Sequence, residues 1–254
     1  MGAGHAHALY VHEHSPFHRL VAEVKIAAAV GMITCVAITP RQAVWAFALY
    51  AVIVMVLITI SRVSPLFVLA RLAAVAPFVI FALFIPFIGT GDTTTLWGIE
   101  LSIDGLWATW NIIIKAVLGA SISIVLTATT EVPDIIRGLG VLRVPALFTS
   151  IATFMIRYLE LITEELGRMR VAMTARGYDP RWLYQARPIA NAAGAMFVRS
   201  YERGERIHGA MLARGFTGEM PIFDRRRAGA VEWASAALLV GVFVVVALMA
   251  VTTS

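Results

Sequence analysis

Residues 106–129 read LWATWNIIIKAVLGASISIVLTAT, a run of 24 residues interrupted by a single charge, Lys115. As a helix it extends about 36 Å, enough to cross the roughly 30 Å hydrocarbon layer of a bilayer. Further apolar runs lie at about 24–39, 42–60, 66–88 and 229–251. Only a bilayer tolerates several such runs in one chain of 254 residues. Composition agrees: 59% of residues are hydrophobic and 15% charged, against about 45–50% and ~25% in soluble domains. That balance excludes a disordered chain and argues against a soluble enzyme. The expected fold is all-α, a polytopic membrane protein with about five transmembrane helices. The first run is short, and Pro40-Arg41 reads as a tight turn between it and the second. A signal peptide at 24–39 is disfavoured, because no small-residue cleavage site follows and further spans do.

The single cysteine, Cys35, excludes internal disulfides and cysteine-rich metal sites. The basic residues are 19 Arg and only 2 Lys, Lys25 and Lys115. Neither lysine follows a glycine, so the chain has no P-loop and does not hydrolyse ATP in that way by itself. Segment 130–228 holds 15 of the 21 basic residues, whereas 89–105 holds none and carries Asp92, Glu100 and Asp104. The positive-inside rule then places 130–228 in the cytoplasm, the N-terminus inside and the C-terminus outside. Arg62 and Arg71 fall inside; Arg41 falls outside and is the exception. Trp45, Trp97, Trp107 and Trp110 lie at the expected outer interface, where indoles favour headgroup depth. The expected organisation is a histidine-rich cytoplasmic segment over 1–23, a membrane domain of four spans over 24–129, a cytoplasmic domain over 130–228 and a last span within 229–254. The net charge of +5 sits where this topology requires it, so it gives no support to nucleic-acid binding.

The polar and ionisable residues offer few sites for chemistry. His5, His7, His12, His14 and His18 offer imidazoles to a divalent metal, or form a mobile polar tail. Lys115, mid-span, is expected to face a water-lined groove or a backbone carbonyl, or else another subunit. Glu160, Glu164 and Glu165 share a helix with Arg157, Arg168 and Arg170, and surface pairing along that helix accounts for them without catalysis. A self-sufficient secondary transporter or membrane-embedded enzyme would need more intramembrane polar groups, or a paired-carboxylate or His/Asp set.

The cytoplasmic segment reads as helices. A short one starts at Val132-Pro133. A long one runs from near Pro145 to Arg176-Gly177, with a seam at Leu159, Ile162, Leu166, Met169 and Met173 in steps of 3 and 4. A second runs from near Pro188 to Arg214-Gly215. Its matching positions, Phe197, Ser200, Gly204, Ile207 and Met211, each follow their counterparts by 38 residues. The second seam is small where the first is large, with Ala190, Ala193 and Gly194 extending the small surface, so a close crossing is expected. The same offset relates Glu164 to Glu202 and Arg168 to Arg206. It is sharpest at the helix ends, where Ala175-Arg176-Gly177-Tyr178 matches Ala213-Arg214-Gly215-Phe216. Glycine suits a left-handed cap, arginine offers five donors, and the aromatic ring can anchor in an apolar socket. An Arg-Gly end is by itself an ordinary cap; two matched copies suit a partner with two equivalent sockets.

These paired tips, with His14-Ser15-Pro16-Phe17-His18-Arg19-Leu20 and Val24-Lys25 near the start, resemble the transmembrane (T) component of energy-coupling factor transporters. The resemblance implies a non-catalytic subunit of an ABC-type importer, seated in the lipid bilayer of the cell membrane. Its partners are two cytoplasmic ABC ATPase subunits and a membrane substrate-capture (S) component. It binds no cofactor itself, ATP and Mg residing on the ATPases. By the same resemblance, Ala175, Arg176, Gly177 and Ala213, Arg214, Gly215 dock into the two ATPases, on long helices held crossed. Phe78, Phe81, Phe84 and Phe87 are a candidate surface for the capture protein, or else face lipid. Length and the histidine-rich start resemble the cobalt-uptake subgroup most. Biotin-type and shared vitamin-type members stay open, because the T component does not capture the substrate.

Overall fold

The computed structural model describes residues 20–88, 93–96, 99–178, 187–218 and 228–253. Its helices are α1 (Ala22–Ile38), α2 (Val44–Ile60), α3 (Pro65–Leu72), α4 (Ala76–Leu83), α5 (Ile85–Ile88), α6 (Ile103–Thr129), α7 (Val132–Val141), α8 (Ala146–Ala175), α9 (Arg187–Ala213) and α10 (Ala230–Thr253). Part of the stretch expected as a plain loop, 89–105, forms an antiparallel hairpin of β1 (Thr93–Leu96) and β2 (Ile99–Ser102), pairing Thr93 with Ser102 and Leu96 with Ile99. The β-branched Thr93-Thr94-Thr95 and Ile99 favour that extended backbone. The chain divides into two compact units, one joining 8–142 to 225–254 and the other built on 143–224.

In the larger unit α1 is the central helix, packed against α6, α7 and α10, while α2 to α5 pack along α6. Two glycines permit its closest contacts. A Cβ on Gly31 would lie 3.0 Å from Cγ1 of Val240, and one on Gly138 would lie 2.9 Å from the backbone nitrogen of Glu23. The second contact locks α7 onto the start of α1. The expected boundary after residue 129 therefore falls one short helix before the observed division. Tyr50 of α2 stacks on Phe243 of α10 with ring centroids 4.6 Å apart, and its hydroxyl donates to the Phe243 carbonyl at 3.1 Å.

Helix ends and breaks in this unit are closed by side chains. Lys25, at the start of α1, donates to the carbonyl of Thr129 at the end of α6 (2.8 Å). Lys115, in the middle of α6, donates to the carbonyl of Ala37 in the last turn of α1 (2.7 Å), which decides its role in favour of a backbone carbonyl. Pro77 and Pro86 interrupt the segment Pro65–Ile88, with a 3₁₀ turn at Ala73–Val75. Pro86 has no N–H for the carbonyl of Ala82, four residues earlier; the Thr109 hydroxyl of α6 donates to it instead at 2.8 Å. Arg41, the exception in the charge pattern, pairs with Asp104 at 3.0 Å. Phe78, Phe81, Phe84 and Phe87 are all exposed on this segment.

Among the described residues, four helical segments are long and apolar enough to cross a membrane: Pro65–Ile88, Ile103–Thr129, Ala146–Ala175 and Ala230–Thr253; α2 is apolar but shorter. The set differs from the five expected runs at three places. The helix α8 joins it, and α1 and α2, of 17 residues each, do not. At about 26 Å α1 falls short of the hydrocarbon thickness, and its Glu23 and Lys25 are buried among neighbouring helices.

Two consequences are measurable. Gly138→Val, which drives a side chain into the Glu23 backbone, is expected to cost about 1–3 kcal/mol and to lower the melting temperature in detergent. Gly119→Ala, where an added Cβ meets nothing within 4 Å, is expected to leave it unchanged. Lys25→Met, which removes a charged donor from a helix-end carbonyl, is expected to cost about 1.5–3 kcal/mol in the same assay.

Candidate functional site

The two long helices of the smaller unit end in the same way. At α8, Gly177 N–H donates to Thr174 O (2.9 Å) and Tyr178 N–H to Met173 O (3.1 Å). At α9, Gly215 N–H donates to Leu212 O and Phe216 N–H to Met211 O, both 3.0 Å. Gly177 has φ +77° and Gly215 φ +82°, the left-handed conformation that glycine adopts without a Cβ penalty. Each end is thus a Schellman cap, with the arginine as its last half-helical residue. The cap turns the aromatic residue back over the helix: Tyr178 and Phe216 are half-buried, while Ala175, Arg176, Ala213 and Arg214 are exposed. Neither guanidinium has a side-chain partner among the described residues. What each tip presents is an arginine fork flanked by a small alanine, held on a rigid helix end.

The helices run antiparallel. Ser150, near the start of α8, donates to the carbonyl of Gly218 beyond α9 (3.4 Å), and Phe154 shares a cavity with Phe216. Farther along, Glu165 forms an ion pair with Arg199 Nε at 3.3 Å and accepts a hydrogen bond from Arg203 Nη2 at 3.4 Å. Glu165 and Arg203 are equivalent positions of the 38-residue repeat, so their contact marks a local two-fold axis. From Ala192 onward, each less exposed residue of α9 and its cap, Ala192, Met196, Ser200, Arg203, Ile207, Met211 and Phe216, has a less exposed counterpart 38 residues earlier, Phe154, Tyr158, Ile162, Glu165, Met169, Met173 and Tyr178. The helix α8 has further half-buried residues, such as Ile156 and Leu161, whose counterparts are exposed.

This face differs from the expected seam at its start and its middle. Ile162, Met169 and Met173, with Ser200, Ile207 and Met211, are half-buried. Leu159, Leu166 and Phe197 are 40%, 48% and 72% exposed. A Cβ built on Gly204 or Gly194 would meet nothing within 4 Å, so the small residues do not bring the backbones together. A cavity of about 300 Å³ remains between the helices, lined by Tyr158, Ile162, Gly204, Ile207 and Met211 among others. The reason is Glu165. Sequence pairing along one helix assigns it to the surface, yet its carboxylate is buried and reaches across to two arginines of α9. The signal was present in the repeat, where glutamate at 165 faces arginine at 203. The neighbouring pairs Glu164–Arg168 (3.7 Å) and Glu202–Arg206 (3.9 Å) do stay on their own exposed helix surfaces.

Other candidates are less informative. His5, His7, His12, His14 and His18 lie outside the described residues. Among the described residues no group of three or more His, Cys, Asp or Glu is placed to hold a metal ion.

The family profile described as "Cobalt transport protein" (CbiQ) matches residues 13–222. The chain is 31% identical over 134 residues to a cobalt transport protein CbiQ of Rhodobacter capsulatus, covering 52% of this chain and 54% of that one. It is 24% identical over 123 residues to an uncharacterized protein of Methanocaldococcus jannaschii, covering 48% of this chain and 42% of that one. The chain therefore spans about half the length of the curated relatives it matches.

The caps generate a local test. Gly177→Ala or Gly215→Ala forces a Cβ into the left-handed region at a cost of about 1–2 kcal/mol. Amide hydrogen exchange is expected to speed up over the last turn of the altered helix, with the other tip unchanged.

Proposed function

The chain belongs to the CbiQ family of cobalt transport proteins, and on that footing we propose that it is the membrane coupling subunit of an energy-coupling factor importer. It passes the motion of two cytoplasmic ATPases to a membrane protein that captures the substrate, a cobalt ion. ATP and Mg act on the ATPases, and this chain contributes mechanical linkage. The observation that carries the reading is the matched pair of tips. Arg176 lies eleven residues beyond Glu165, and Arg214 eleven beyond Arg203, so each tip stands about 16 Å along its helix from the local axis. A two-fold pair of ATPases offers two equivalent sockets, and equal arms suit it. Lys115 supports the same reading, since its ammonium is engaged by a backbone carbonyl instead of standing as one member of an intramembrane ion pathway. In this reading α1, α2, Pro65–Ile88, α6 and α10 cross the bilayer and α8 does not, so the tips, with Tyr178 and Phe216 behind them, face the cytoplasm, the N-terminus is inside and the C-terminus outside.

The test is ATPase co-purification and ATP-dependent cobalt uptake for variants of the two arginines. Arg176→Lys or Arg214→Lys loses the planar fork and is expected to impair uptake. Arg176→Glu or Arg214→Glu alone weakens assembly, because a buried charged partner left alone costs about 3–5 kcal/mol. The double variant is expected to abolish assembly, since the second contact no longer holds the first at high effective concentration. Wild-type uptake by the double variant would falsify the docking role. For topology, a reporter fused after Ser254 is expected to be active only outside; activity confined to the cytoplasm overturns the orientation.

A further inference from the structure

We propose that Glu165, with Arg199 and Arg203, is the pivot that fixes the two tips relative to one another and converts their displacement into transport. The proposal rests on the coupling-subunit reading above and adds to it the residues that position the arms.

Three observations carry it. First, Glu165 is the point where repeat-equivalent positions of the two helices meet, and equal lengths of helix lead from it to Arg176 and from Arg203 to Arg214. Second, where both copies are charged within the two helices and their caps, the sign is kept away from the axis, at Glu164 and Glu202, Arg168 and Arg206, Arg176 and Arg214. It is reversed at 165 and 203, where like charges would face each other; Arg157, Glu160 and Arg170 are matched by Ala195, Val198 and His208. A residue on a two-fold axis meets its own equivalent, so a repeat that kept glutamate there would bring two carboxylates together. Third, the contact is not replaced by apolar packing. Leu166 points outward, the cavity lies beside the axis, and Gly204 has open space at its Cβ. The carboxylate accepts a hydrogen bond from Arg203 at Oε2 and forms an ion pair with Arg199 at Oε1, and its side chain is only 10% exposed. An ionic fork beside a cavity holds direction while leaving the helices room to rotate, which a close-packed apolar crossing does not.

The test uses the complete transporter, purified through this chain and reconstituted in liposomes, with radioactive Co²⁺ uptake and ATP hydrolysis measured on the same preparation. Glu165→Arg places three guanidinium groups together. Both ATPases are expected to co-purify, since the tips are intact, and hydrolysis to continue while Co²⁺ moved per ATP falls about tenfold. Exchanging the pair, Glu165→Arg with Arg203→Glu, restores the bond across the axis and leaves the new glutamate one turn from Arg199 on its own helix. That double variant is expected to recover to within about threefold of wild type. Glu165→Gln, a neutral isostere for use if the charge reversal does not purify, is expected to assemble and to lose about threefold or more in Co²⁺ per ATP. Assembled single variants with the wild-type ratio overturn the pivot, as does an exchanged pair that assembles but shows no recovery. An unmodified chain that brings down no ATPases overturns the coupling reading and the pivot with it.

Discussion

A backbone carbonyl in the last turn of a helix, or opposite a proline, has no partner within its own helix, and the larger unit is organised around supplying one. The chain has only two lysines, and each donates to the last turn of the other's helix: Lys25 of α1 to Thr129 of α6, and Lys115 of α6 to Ala37 of α1. The pair is thus tied near both ends of α1, and α1 is the helix on which α7 and α10 also pack. The carbonyl freed by Pro86 is met by Thr109, again from α6, and a carbonyl of α10 is met by Tyr50. These four polar side chains of the unit thus serve the backbone.

The smaller unit follows a different rule. Its helices are related by a repeat, and the repeat becomes structural symmetry because the chain folds back antiparallel about one ion pair. Symmetry of that kind constrains a sequence most at its axis, where each residue faces its own copy. The departure from the repeat at Glu165 and Arg203 lies there. The caps lie at the far ends, where the copies never meet and can stay alike.

Much of this was legible in one dimension. Apolar runs marked the bilayer, and each of the five shares its bounds within about three residues with a helical segment: α1, α2, Pro65–Ile88, α6 and α10. Gly177 and Gly215 announced left-handed caps, because few other residues accept a positive φ there. The 38-residue offset tied those caps together before any contact was known. Less legible was the seam. Periodicity selects a stripe but not its rotation, and Leu159, Ile162, Leu166, Met169 and Met173 describe a stripe rotated by a fraction of a turn from the observed one. Without a partner helix in view, a leucine at 166 outweighs a glutamate at 165, since burying a carboxylate is unfavourable until two guanidinium groups are known to wait for it.

The sequence alone determined what is local or additive: a polytopic helical chain, the helix ends, the repeat and the absence of a P-loop. Each follows from hydrophobicity, backbone sterics or residue type at a fixed spacing. The tertiary structure decided what depends on who meets whom. It assigned Lys115 to a carbonyl of α1, matched Arg41 to Asp104, attached α7 to the larger unit through Gly138 and turned Glu165 inward. These are contacts between residues as many as 115 positions apart, as for Gly138 and Glu23. The free energy of a buried charge or an orphaned carbonyl is set by its partner, and no spacing within one helix names that partner.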